Sequence, residues 1–194
     1  MVWFGAKRMR RKTVSRGFSL VEGMVTTVIV LGLAAFAIPA TVRSVRSYRL
    51  SSTTKEVVTL VQRARYEAIR RNRSVACRAV QVEGRWRVWI DVNGNGQPER
   101  TEPALALPAQ VQFLGQGDVP GTESMGYNST RVTDGVITFN SRGAVDFGAA
   151  APAVLVMYLG IPGQRDYGFR AISLLPAGKT KIWKAGEYSS WHTD

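Results

Sequence analysis

The chain has 194 residues, 45% apolar and 21% charged, with 26 Lys and Arg against 14 Asp and Glu for a net charge of +12. That balance suits one folded domain with an appendage and excludes wholesale disorder. A single cysteine, Cys77, excludes a disulfide framework, and a single histidine, His192, excludes His-pair zinc sites and argues against Ser-His-Asp or Cys-His catalysis. The charge is uneven: residues 1–17 carry +6, 18–40 carry −1, 41–80 carry +8 and 81–194 carry −1. A uniformly basic nucleic-acid binder has a different distribution, whereas basic residues flanking an apolar run fit membrane topology.

Met24 to Ala40 is uncharged, and with Phe18–Gly23 in front it makes a stretch of about 20 residues, enough to cross a bilayer as a helix. The preceding cations predict a single pass with a cytoplasmic N-terminus and the larger part extracytoplasmic. A secretory signal peptide is the competing reading, with Ala35-Phe36-Ala37 as its cleavage site, but the chain past Pro39 stays helix-permissive. Glu22 stands at the head of the span, where a carboxylate is costly and calls for a partner. Gly23 and Gly32 allow close helix approach, and Gly32 and Pro39 mark where the helix can bend or unwind.

Arg16-Gly17-Phe18-Ser19-Leu20-Val21-Glu22 resembles the leader signal of type IV pilins and type II secretion pseudopilins. In that family a basic leader ends in Gly, Phe usually follows, and Glu is fifth in the mature chain. The resemblance implies that a prepilin peptidase cuts between Gly17 and Phe18 and methylates the new N-terminus at Phe18. It also implies a bacterial inner-membrane subunit with a periplasmic head, later moved into a pilus or pseudopilus. Its partners would be an inner-membrane assembly platform and neighbouring pilins or pseudopilins. Glu22 would then pair with the N-terminal amine of an adjacent subunit, a contact far stronger in an apolar core than in water.

Beyond Pro39, Val57, Val61, Ala64 and Ala68 recur at helical spacing, with Val58, Leu60 and Ile69 widening the apolar face. A helix from Phe18 to about Asn72 would be roughly 80 Å long at ~1.5 Å per residue. The rest predicts strands. Ser74–Val82 and Arg85–Asp91 flank a Glu83-Gly84 hairpin turn, with Trp86, Val88 and Ile90 on the buried face and Trp89 and Asp91 on the other. Further strands are expected at 110–114, 135–139, 144–147, 153–158, 170–175 and 179–183, with 115–130 a loop. Cys77 reads as a small core residue, the arginines of 63–78 as a solvated face, and Trp191 and His192 as a tail without partners.

The head resembles the GspH/FimT domain through a strand ending in Asp91-x-Asn93-x-Asn95-Gly96, the acids Glu99 and Glu102, and a Phe139-x-x-Arg142-Gly143 turn. The fold implied is α+β and type IV pilin-like, a long N-terminal α-helix packed against a C-terminal antiparallel β-sheet head. Its parts are a leader at 1–17, a membrane-spanning helix half at 18–40, an amphipathic half at 41–73 and a β-rich head at 74–194. The implied role is a structural minor pilin or pseudopilin of a type II secretion pseudopilus or type IV pilus, a peptidase substrate and not an enzyme.

Two further constellations each have two readings. Asp91, Asn93, Asn95, Gln97, Glu99 and Glu102 match the spacing of a Ca2+ loop, but strands rather than paired helices flank them, and Asn-Gly pairs with Pro98 also make a plain turn. Gly178-Lys179-Thr180-Lys181 is similar to the Gly-Arg-x-Arg motif of DNA-binding FimT-type minor pilins, with Lys at both basic positions. Trp183 and Lys184 would assist by stacking and charge, giving a DNA receptor for transformation as the alternative function. The competing reading is a hairpin with solvated lysines. An ordinary single-pass anchored protein is the third functional reading.

Overall fold

A computed structural model describes residues 17–193, with Pro39 described by its backbone alone, so Met1–Arg16 of the expected leader lies outside the described residues. The chain forms two compact units, Met1–Val42 and Arg43–Asp194. One helix, α1 (Leu20–Arg71), is continuous through Gly32 and Pro39. Ten strands follow: β1 (Val75–Val82), β2 (Arg85–Asp91), β3 (Ala104–Ala106), β4 (Gln112–Leu114), β5 (Thr130–Val132), β6 (Val136–Phe139), β7 (Val154–Gly160), β8 (Phe169–Leu174), β9 (Thr180–Ala185) and β10 (His192–Thr193).

The strands form two sheets, ordered β3-β2-β1-β6 and β10-β9-β8-β7-β4, with β5 also on β7. The pairs are antiparallel, as expected of the head, apart from β5 with β7, which run parallel. The β1–β2 hairpin turns at Glu83 and Gly84, both at positive φ (50° and 76°), the geometry a two-residue primed turn requires.

The expected helical stripe is the floor of the core. Val57, Val61, Ala64 and Ala68 are at most 1% exposed, joined by Leu50 and Leu60. They meet Val75, Cys77, Val88 and Ile90 of the first sheet and Leu155, Met157, Leu159, Ile172 and Leu174 of the second. Each fully buried aliphatic side chain is worth roughly 1.5–3 kcal/mol. Ile69 instead sits at the rim, 43% exposed. Burial pushes the Cys77 thiol up to about 12, so it is uncharged core.

The second sheet is apolar on both faces. Residues 156 and 158 of β7 alternate with the helix-facing set and join Phe169, Ala171, Trp183 and Ala185 in a second cluster. The segment 115–130, irregular as expected but for two short 3-10 turns, contributes buried Met125 to it. Trp191 does so as well, which corrects its reading as a partnerless tail. It is 3% exposed, its ring centroid is 5.7 Å from that of Tyr158, and its indole N–H donates to the Pro120 carbonyl at 3.1 Å. Its neighbour His192 pairs with Lys184 in β10. The Trp191–Pro120 bond joins residues 71 apart, beyond the reach of local pattern.

Residues 144–147 do not form the expected strand. A Phe139–Val145 bridge forms there instead, through the Asp146 N–H to the Thr138 carbonyl and the Asn140 N–H to the Ala144 carbonyl, while the Val145 N–H donates outward to the Pro176 carbonyl. On β2 both faces are covered toward the strand end: Trp89 and Asp91 are buried, although alternation placed them on the open side.

The tight floor gives a stability prediction. Ala64 is fully buried, and Ala64→Leu would force extra methyl groups between helix and sheets at about 1–3 kcal/mol. Denaturant unfolding of the full chain is expected to show that loss without a change in m-value.

Candidate functional site

The N-terminal candidates lie just before the helix and along its first half. Gly17 precedes it in non-helical backbone, Phe18 is 78% exposed, and Glu22 is an exposed acid in the first turn, where the helix dipole favours a negative charge. Among the described residues, no cation lies within ion-pair distance of Glu22. Thr26 and Thr27 bond back to carbonyls at Glu22 and Gly23, so their hydroxyls are satisfied along the helix itself. Nothing lies within 4 Å of a side chain added at Gly23 or Gly32. The apolar residues here face outward, Leu31 at 64% exposure and Phe36 at 84%. By length and composition this is a helix able to cross a membrane.

The Asp91–Glu102 residues are brought together, but as a hydrogen-bonded turn. Asp91 Oδ1 accepts the Gly94 N–H at 2.8 Å, and Oδ2 accepts the Gly96 N–H at 3.0 Å and Arg78 Nε at 2.7 Å. Glu102 accepts the N–H groups of Val92 and Glu99. Glu99 Oε1 accepts both Asn93 Nδ2 and Asn95 Nδ2, at 2.9 and 2.7 Å. Asn93 Oδ1 caps the Asn95 N–H, and Asn95 Oδ1 caps that of Gln97. Gly94 and Gly96 hold φ of 80° and 72°, which a Cβ would disfavour. The oxygens a Ca2+ ion would need are thus directed at N–H donors. Among the described residues, no group of three or more His, Cys, Asp or Glu is placed to hold a metal.

Burial alone would raise the Asp91 carboxyl. The hydrogen bonds from Arg78, Gly94 and Gly96, with the charge of Arg78, outweigh it and hold it below its ordinary value. Arg78 went unnoticed as a partner, yet the two-residue turn places Ala76 opposite Asp91, with Arg78 two positions away on the same face. The arginines of 63–78 are likewise not simply solvated. Arg65 Nε donates to the Gly143 carbonyl at 2.8 Å, Arg70 and Arg71 pair with Glu67, and Arg73 donates to the Val92 carbonyl.

The C-terminal candidates are divided by the pleat. Lys179, Lys181 and Lys184 are exposed. Trp183 is 5% exposed, and its indole N–H donates to Ser173 Oγ at 2.9 Å, with Tyr127 edge-on at 5.9 Å. It has no free face for a base, which corrects its assignment as a stacking residue. Lys181 Nζ lies 4.1 Å from the centre of that ring, and Lys184 falls on the other face of β9. The motif glycine has a structural reason. Gly178 holds φ of 81°, and an added Cβ would lie 2.4 Å from the Gly143 carbonyl oxygen. Helix residue Gln62 donates to the Gly178 carbonyl at 3.1 Å and to Thr180 Oγ1 at 3.0 Å.

Comparison with known proteins decides the family. A family profile described as "Type II transport protein GspH" matches residues 53–178. The chain belongs to the GspH family. That match contains the Asp91–Glu102 turn, Gly143 and Gly178, while the Gly17–Glu22 string and the lysines from Lys179 onward lie outside it. No curated protein matches the chain significantly in sequence.

Among solved structures, the type IV minor pilin FimU of Pseudomonas aeruginosa is 19% identical in one crystal form. It covers 75% of this chain and 93% of FimU, with a TM-score of 0.50. A second crystal form of FimU, also 19% identical, covers 69% of this chain and 91% of that one at a TM-score of 0.47. The minor pseudopilin EpsH of the Vibrio cholerae type 2 secretion system is 13% identical, covering 69% of this chain and 95% of that one, at a TM-score of 0.42. At such identities the FimU likeness bears on the fold, which is pilin-like. The matching family is described as a type II transport protein and the fold neighbour FimU as a type IV minor pilin, neither of them an enzyme.

Two outcomes follow from the turn geometry. Asp91→Asn should cost about 2–4 kcal/mol at neutral pH, since Arg78 and two N–H groups lose a charged acceptor. The contribution of Asp91 is complete above the ordinary carboxyl value (~3.9) and is lost as pH falls through its lower folded value. The gap in Tm between wild type and the variant should therefore narrow under acid. Calcium or a chelator is expected to leave Tm unchanged, and a Ca2+-dependent rise would restore the cation-loop reading.

Proposed function

We propose that this GspH-family chain is a minor subunit of a type IV pilus or type II secretion pseudopilus. It begins in the bacterial inner membrane with its N-terminus cytoplasmic and its head periplasmic. Residues 1–17 are its leader, removed by a prepilin peptidase between Gly17 and Phe18, and Phe18 becomes the methylated first residue. The observation that carries this reading is the contrast along α1. The stripe from Leu50 to Ala68 is buried in a GspH-type head, whereas Leu20 to Ile38 of the same helix is largely apolar and exposed. Lipid before assembly, and helices of neighbouring subunits afterwards, supply the missing apolar surroundings.

Glu22 supplies the register. Buried among apolar helices, its carboxylate is stabilised only where a cation meets it, and the new amine at Phe18 of a neighbour is such a cation. One axial offset satisfies the pair, and other offsets bury the charge alone. The inner-membrane platform would draw the subunit from the bilayer into the filament. The DNA-receptor alternative retains Lys179 and Lys181 but not Trp183, which is packed in the second core, so no observation favours it over the structural role.

Mass spectrometry of the protein recovered from cell membranes tests processing, with a mature N-terminus at methylated Phe18 expected. An uncut chain would overturn the reading. Glu22→Gln is expected to be trimmed normally but to enter sheared filaments at a tenth of the wild-type amount or less, on the order of the penalty for a displaced buried ion pair.

A further inference from the structure

We propose that the β7–β8 connection, residues 161–168, is a polar clasp that sets where the rigid head begins on α1, with Arg46 and Arg170 as its positioning residues. The buried side of the helix starts at Leu50, which is fully covered. Between Arg43 and Arg49 no side chain is buried, and Val45 and Tyr48 are 44% and 75% exposed. Apolar burial therefore does not hold these two turns to the head.

Hydrogen bonds hold them instead. Arg46 Nη1 donates to Gln164 Oε1 at 2.7 Å and to the Tyr167 hydroxyl at 2.9 Å, and its guanidinium carbon lies 5.2 Å from the Tyr167 ring centre. Arg43 Nη2 is 4.0 Å from Asp166 Oδ2, an exposed pair that contributes little. At the base, Arg170 is 1% exposed. Its Nε and Nη2 donate to Ser51 Oγ at 3.1 and 3.0 Å, Nη2 also to Ser47 Oγ at 3.2 Å, and Nη1 to the Phe169 carbonyl at 3.0 Å. Gly168 keeps the connection close to β9: it holds φ of 71°, and an added Cβ would lie 2.6 Å from the Ala185 carbonyl oxygen. A guanidinium holds its five donors in a rigid planar fork, whereas an ammonium is a compact charge with three rotatable donors.

The helix is weakest just upstream, because Pro39 supplies no N–H to the ladder. Unwinding that starts there meets the hydrogen-bonded Arg46 one turn before Leu50. The importance of that stop for assembly rests on the filament reading, but the stop itself does not.

Hydrogen exchange of the full chain in detergent micelles, read by mass spectrometry, tests it. Arg46→Ala should speed exchange of the 43–50 amides about tenfold, the loss of a charge-assisted pair of hydrogen bonds, while 53–71 stay protected. Arg46→Lys should recover part of the protection by keeping charge over the Tyr167 ring. Gln164→Ala, which leaves the helix sequence intact, should loosen the same window by a smaller factor. Unchanged exchange over 43–50 in Arg46→Ala and Gln164→Ala overturns the proposal. Equal loosening of 53–71 does so too, since Arg46 would then be a general stabiliser. A chain that shows this pattern but never enters filaments would refute the filament reading alone.

Discussion

Along one helix, Val57, Val61, Ala64 and Ala68 are at most 1% exposed, while Leu20 and Phe36 are 79% and 84% exposed. Both stretches are apolar, and exposing either to water costs roughly 25 cal/mol per Å². The C-terminal stripe meets two sheets of its own chain. The N-terminal stretch is left to be covered by something else, and the rest of the molecule is arranged around that division. The head supplies a floor that holds the helix, and the exposed half is long and apolar enough to cross a membrane.

Polar groups do the precise positioning on that frame. The Asp91 carboxylate gathers two N–H groups and Arg78, and Glu102 gathers two more N–H groups, so the β2–β3 connection closes on itself. Arg65 and Gln62 reach from the helix to the carbonyls of Gly143 and Gly178, tying both turns to α1. A buried N–H or C=O without a partner is costly, which explains why short motifs rich in Asp, Asn and Gly recur where the chain must reverse against a core. The Asp-x-Asn-x-Asn-Gly string is one of these, and its likeness to a cation loop reflects shared turn chemistry.

Much was legible from local pattern. The period of Val57 to Ala68 placed the buried stripe, because a helix repeats every 3.6 residues whatever packs on it. Glu83-Gly84 placed the first hairpin and its register, and so in principle the Arg78–Asp91 pair. The errors have a common origin. Trp183 looked available and Trp191 looked idle, because strand alternation says which residues share a face but not whether another segment covers it. Here residues 115–132 and the C-terminal end cover the outer face of the second sheet. Ile69 was misjudged for a related reason: the stripe has a rim, set by where the sheets stop.

By itself the sequence determined the uncharged span with its one acid, the Gly17–Glu22 string, the helix period and the hairpin turn, each a property of neighbours in the chain. Tertiary structure alone decided that β7 is shared by β4, β5 and β8, that Trp183 is sealed beneath Tyr127, and that Arg46 and Arg170 clamp the helix. Those contacts join residues far apart in sequence, and their free energy depends on which surfaces meet, information that no local period or spacing contains.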